Sequence, residues 1–350
     1  MYTLSPITSS MGSLPSPPSA SASAPPPSPE TTPLRYRVYA SFCLREPAPN
    51  INISNWIDCY NPYINAWNRV TSIPNLEENH VLKDFAMISI GDTIYIIGGR
   101  RCRKERAHIT DELADIVDMN VEVLTSVLRY NIHSDQWSSC APLNVPRYDF
   151  ACSMCDNKIY VAGGQSTLKG ARGITAAEMY DPSFNEWTLL PDMSTLRYKC
   201  VGVTWQEKVH VLDVPPNQIV AVGGRLFSSG DCLNAWKGHI EAYDGKLKLW
   251  YIVDGSQLQI LSSPVSTSYG NDDNWPPIQR LYLTMAPIGT LLYFLAGYRK
   301  AGESSRTVSM VDIFDTSASR DAWMSAEPTE EEGEKELCSH CCVVQLAQDF

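Results

Sequence analysis

Residues 147–164 read Arg-Tyr-Asp-Phe-Ala-Cys-Ser-Met-Cys, then Asp-Asn-Lys, then Ile-Tyr-Val-Ala-Gly-Gly; after a loop the chain continues Ala177-Glu178-Met179-Tyr180-Asp181-Pro182 and reaches Trp187. Short apolar or alternating runs bounded by Asn, Asp, Gly and Pro are strand and turn signals, and they mark four strands within about forty residues. The order recurs. A second copy runs from Asp84 through Gly91-Asp92 and Gly98-Gly99 to Tyr130 and Trp137, and a third from Leu281 through Gly289, Ala296-Gly297 and Phe314 to Trp323.

Each residue type has a physical task in such a unit. Glycines after the second strand permit backbone angles and close approaches that a side chain would block. The third-strand Tyr or Phe and the fourth-strand Trp provide large apolar faces. One small sheet would leave those faces wet; several stacked around an axis bury them and leave only short edges. An all-β propeller is therefore the expected fold.

The pairs Gly98-Gly99 and Gly163-Gly164, followed by Tyr130 and Tyr180 and by Trp137 and Trp187, resemble the signature of the kelch repeat family, and Ala296-Gly297 with Phe314 and Trp323 matches it more loosely. The resemblance extends over most of residues 34–346 and implies a six-bladed kelch-type β-propeller. Expected blades cover residues 83–140, 147–190, 217–254 and 281–326. In the 217–254 copy Gly223-Gly224 falls in the first hairpin, with Tyr243 and Trp250 completing the third and fourth strands. Residues 34–70, including Trp67, and residues 338–346 supply a composite blade that closes the ring by joining the two ends.

The copy beginning at Arg197 departs from this plan. Residues 197–213 reproduce only two strands; Asp213-Val214 stands where the glycine pair belongs, and no Tyr or Trp follows before Asn217 opens another first strand. Either about half a module is missing, as a splice variant, a prediction error or a deletion would leave it, or the blade is merely eccentric. The expected consequence is an exposed edge near Asp213.

The chain has 350 residues, 44% of them hydrophobic, enough for one large repeat domain. Its formal charge of -11 argues against nucleic acid or anionic membrane as a partner. No run reaches the roughly 18 to 20 apolar residues of a spanning helix. Residues 1–33 are Ser, Pro and Ala-rich and read as a disordered leader; their Ser-rich, nearly acid-free character also suits an organellar targeting peptide, although no Arg or Lys precedes Arg35. Eleven cysteines, several within apolar runs, fit buried thiols in a cytoplasmic or nuclear compartment.

Recognition is expected on loops. The insertion at residues 100–126 begins with a basic run that includes Arg101 and Arg103, and the spacing of Leu113, Ile116, Val117, Val121 and Leu124 predicts an amphipathic helix over 109–124. Nearby acids can offset that basic patch. Arg147, Arg197 and Arg280 recur near first strands, where they either clamp a partner's carboxylate or phosphate or hydrogen-bond between blades. Tyr269 and Trp275 in the 255–277 loop suit a protein interface, or pack that loop onto the ring. Residues 327–336, rich in Glu, read as a solvated linker.

Cys338, His340, Cys341 and Cys342 are possible zinc ligands, but strand alternation sends neighbours to opposite faces. A copper-bearing propeller oxidase needs converging His and Tyr ligands, and the six histidines show no such spacing. No P-loop, HExxH or G-x-S-x-G motif occurs. The expected function is a non-catalytic protein-interaction scaffold without cofactor. The alternatives are a metal-dependent kelch-propeller enzyme and a non-functional truncated isoform. Resemblance to plant F-box/kelch proteins implies substrate recognition for a ubiquitin ligase; residues 1–33 are too short for an F-box and no BTB-like domain fits elsewhere, so the link to a ligase would run through another adaptor.

Overall fold

The computed structural model describes residues 2–4, 36–45, 54–106, 116–169, 172–213, 218–229, 240–253, 278–300, 306–318 and 322–346, all strand, turn or connection. Apolar alternation and closely spaced turns build seven antiparallel sheets among the described residues, six of which each contribute an inner strand to a common ring. In ring order these inner strands are Lys335–Gln345, Ala86–Ile90, Ala151–Cys155, Val201–Trp205, Gln218–Val222 and Ile278–Ile288, the last lying against the first. The circle is closed.

The Ala151–Cys155 sheet shows the repeat in full. Lys158–Ala162, Ala177–Asp181 and Glu186–Leu190 follow it outward as successive antiparallel neighbours. Tyr180 lies opposite Trp187 with ring centroids 5.0 Å apart. The same cross-strand pair recurs as Tyr60–Trp67, Tyr130–Trp137, Tyr243–Trp250 and Phe314–Trp323, at 5.2, 5.1, 5.3 and 4.9 Å. Such a pair contributes ~0.5–1.5 kcal/mol beyond the area it buries.

Local polar chemistry repeats with the aromatics. The Tyr60, Tyr130 and Tyr180 hydroxyls donate to Asn65, Asp135 and Asn185 five residues on, each a turn residue with positive φ. The residue after each aromatic, Asn61, Asn131, Asp181, Asp244 or Asp315, accepts from a backbone N–H two residues later and closes the turn. Blades join through the glycine pair: the Gly99 N–H donates to the Arg147 carbonyl at 2.9 Å, and the Gly164 N–H to the Arg197 carbonyl at 3.0 Å. Gly164 sits at φ +91° with Phe150 and the Tyr148 carbonyl filling the place of a side chain, so only glycine fits.

Closure uses both ends, as expected. Lys335–Gln345 pairs with Tyr36–Leu44, which continues to Trp56–Asn61 and Ala66–Ser72. Buried ion pairs reinforce the ladder: Lys335 meets Asp58 at 2.7 Å, and Glu336 meets Lys83 at 2.6 Å and Lys104 at 3.0 Å.

Several expectations are corrected. The predicted helix at 109–124 is replaced, over its described part, by the strand Ile116–Val123, which pairs with Arg100–Arg106 and through it with His80–Lys83. Alternation of Asp118, Asn120 and Glu122 with β-branched and apolar neighbours is a period of two, and it outweighs the weaker helical spacing. Residues 327–336 are not a solvated linker: Thr329–Glu332 pairs with Arg306–Asp315, and Glu334 is buried beside Arg299. Ala296 and Gly297 lie inside the strand Leu291–Lys300 and not after it; a Cβ on Gly297 would meet the Tyr282 ring at 2.1 Å.

The truncated copy is two strands, Val201–Trp205 and Lys208–Leu212, and the edge near Asp213 is not bare. Tyr2–Leu4 pairs antiparallel with Lys208–Leu212. That strand departs from the disordered leader expected at residues 1–33; residues 5–33 lie outside the described residues.

Candidate functional site

The inner strands enclose a central cavity of about 660 Å³. Its charged rim includes Asp84, Asp149 and Lys199, each two residues before an inner strand and each with positive φ, at 54°, 53° and 47°. Those backbones link the blades: the Asp84 N–H donates to the Cys338 carbonyl at 3.1 Å, and the Asp149 N–H to the Asp84 carbonyl at 3.2 Å. The Arg100 guanidinium bonds Asp84 and stands 5.3 Å from the centre of the Tyr148 ring. Burial, aided by the neighbouring Asp84 charge, pushes the Asp149 carboxyl up to about 6, while Lys199 and Arg100 pull the other way. This rim can change charge near neutrality.

The three recurrent arginines do not form a clamp, and none lines the cavity. Arg147 is fully buried: its guanidinium donates to the Gly163 and Ala176 carbonyls at 2.9 and 3.0 Å and to Glu178 at 2.6 Å. Glu178 also accepts from the Asn144 and Val145 backbone. The Arg147 guanidinium therefore bonds within its own blade, neither clamping a partner nor bridging two blades. Arg197 is buried against Asp213. Arg280 lies half-buried opposite Tyr298 in a third sheet.

Nor is the 100–106 run an unbalanced basic patch. Arg100 meets Asp84, Arg101 meets Glu77 and Glu122, and Lys104 meets Glu336. Arg103 is exposed opposite His80 and Met119. Tyr269 and Trp275 lie outside the described residues.

The rim itself was missed in the sequence because Asp84, Asp149 and Lys199 read as opening residues of first strands. The signal was present as a polar residue before the first apolar pair of each copy. The connection that enters the rim at Lys199 also exposes Leu196 and Tyr198, at 63% and 46%. Tyr148, in the matching place one blade earlier, is buried with its hydroxyl 3.0 Å from Gln165. Exposed aromatic and apolar side chains beside fixed charges are the composition of a protein-binding surface.

Among the described residues no group of three or more His, Cys, Asp or Glu side chains is placed to hold a metal ion. Cys341 faces Thr284 on one neighbouring blade, whereas the adjacent Cys342 packs with Met87 and Ile94 on the other side. The ten described cysteines are free thiols. No helix among the described residues is long and apolar enough to cross a membrane.

The kelch motif profile matches residues 146–194, the most regular copy. Two F-box/kelch-repeat proteins of Arabidopsis thaliana are similar at 29% identity over 171 residues and 31% over 156, covering 49% and 44% of this chain and 41% of each relative. Kelch-like protein 23 of Homo sapiens is 29% identical over 162 residues, 46% of this chain and 22% of that protein. The chain thus spans about two fifths of the length of the plant relatives it matches. Five recurring aromatic pairs in a closed ring of sheets, one copy of which matches the kelch motif, make the fold a β-propeller similar to that of kelch-repeat proteins.

Proposed function

We propose that the chain is a non-catalytic kelch-propeller module that holds partner proteins at the charged rim of its cavity. The observation that carries this reading is the exposed pair Leu196 and Tyr198 next to Lys199, which lines the cavity with Asp149. Rigid inner strands fix those positions, and the loops between them are free to vary. A net charge of -11 favours partners with a basic or neutral contact surface. Similarity to F-box/kelch-repeat proteins supports a finer role, presentation of a bound protein to a ubiquitin ligase through a separate adaptor.

Affinity purification from cell extract tests both levels. The double variant Leu196→Ser/Tyr198→Ser, at two exposed side chains, is expected to lose a reproducible partner that the unaltered chain retains, with thermal unfolding little changed. An unchanged partner set would refute the rim as the binding surface. Ligase subunits missing from every purification would refute the finer role alone.

A further inference from the structure

Lys208–Leu212 occupies in its sheet the place that Lys158–Ala162 occupies one blade earlier, fifty residues before. In the complete blade Ile159, Tyr160 and Val161 face Tyr180, Met179 and Glu178 of the third strand. In the truncated blade Val209, His210 and Val211 face Leu4, Thr3 and Tyr2. Tyr2, Thr3 and Leu4 thus stand residue for residue where Glu178, Met179 and Tyr180 stand, with the same antiparallel direction. The sequence continues the likeness. Leu4-Ser5-Pro6 parallels Tyr180-Asp181-Pro182 and Tyr60-Asn61-Pro62, an apolar residue followed by a small polar residue and proline.

We propose that the Lys208–Leu212 edge is a strand-acceptor site, and that the segment beginning at Tyr2 is its resident intrachain occupant, a surrogate third strand for the half-module the chain lacks. An unpaired edge offers a row of N–H and C=O groups that any extended segment can satisfy, the mode by which peptides add to sheets. The thirty-one residues between Leu4 and Tyr36 have the reach to deliver the segment, at up to roughly 3.3 Å each. Their number keeps the effective concentration of the tethered strand high. What the acceptor recognises is a short extended stretch with apolar residues at alternate positions, ended by a polar residue and proline.

Amide hydrogen exchange of the full chain tests this directly. Deleting residues 1–6 is expected to speed exchange across Lys208–Leu212 by about ten-fold while Lys158–Ala162, the internal control for folding, keeps its protection. Thr3→Pro, which removes a backbone donor from the middle of the strand, is expected to act in the same direction. A synthetic peptide of residues 1–8 added to the deletion variant should restore protection, and its Thr3→Pro version should not. Equal exchange with and without residues 1–6 would overturn the proposal, as would restoration by a scrambled peptide. Protection that depends on protein concentration would show exchange between two copies and overturn the intrachain assignment.

Discussion

The blade beginning at Arg147 and its truncated neighbour beginning at Arg197 start from nearly the same residues and part where the third strand should enter. Arg147 finds the Gly163 and Ala176 carbonyls and the Glu178 carboxylate, all on elements of its own blade. The copy that begins at Arg197 has no third strand of its own, and Tyr2 stands where Glu178 stands one blade earlier. Arg197 pairs instead with Asp213, which stands sixteen residues after Arg197, as Gly163 stands sixteen after Arg147. The substitution that spoils the glycine pair supplies the carboxylate that the missing strand took away. Tyr198 tells the same story in reverse: Tyr148 packs beneath its blade's glycine loop on Gln165, and Tyr198, whose loop is altered, is exposed. The sheet with two strands of its own thus gains a charge partner at Asp213 and a strand from elsewhere in the chain, and it leaves Tyr198 exposed.

Removing the two arginines should break the comparison most sharply. Arg147→Met leaves Glu178, itself with no exposure, as an uncompensated buried carboxylate and is expected to cost ~3–5 kcal/mol in denaturant unfolding. Arg197→Met releases Asp213, which is 63% exposed and rehydrates freely, so the loss should stay under about 1 kcal/mol. The double variant Arg147→Met/Glu178→Leu should recover most of the first loss. Similar costs for the two single variants would mean that the truncated blade is as tightly determined as the complete one.

The tyrosines give a smaller contrast. Tyr148→Phe strands the buried Gln165 oxygen and should cost about 1–2 kcal/mol. Tyr198→Phe removes a hydroxyl from a half-exposed ring and should shift unfolding by under ~0.5 kcal/mol. A matching loss at Tyr198 would show that it is packed in solution and unavailable to a partner.

The parts of this fold that were legible in sequence are those specified within one module. Gly163-Gly164, Tyr180 and Trp187 recur in the same order because the same inter-strand geometry recurs, and the composite closing sheet followed from the two half-modules at the ends. What escaped depends on contacts between segments far apart in the chain. The 100–106 arginines read as a basic patch because Glu336 and Asp84 arrive from other strands. The acidic 327–336 run read as solvated because Lys83, Lys104 and Arg299 were unseen. Ile116–Val123 was ambiguous, carrying apolar residues at both helical and strand spacing, and only its pairing with Arg100–Arg106 decides between them. Arg147 was legible as a recurring residue but not as a buried one, since its partner Glu178 belongs to a strand thirty-one residues on.

The last contrast lies at the rim, where Asp149 and Lys199 hold matching positions with opposite charge, and it shows only above about pH 4. Asp149 has its folded value raised from 3.8 to about 6, so the fold prefers its protonated form. The ionised carboxylate therefore costs the native state nothing below about pH 4, progressively more as pH rises through about 6, and a constant amount above that. Asp149→Asn retains a side chain that tolerates the positive φ and removes the charge. It should leave stability unchanged at pH 4 and raise it by about 1 kcal/mol at pH 7, a figure reduced for partial exposure and screening. Lys199→Gln has the opposite sign, because the lysine is one of the charges that favour the ionised carboxylate. Unfolding curves of the two variants at pH 4 and pH 7 should diverge only at the higher pH, and parallel curves would remove Asp149 as the titrating group of the rim.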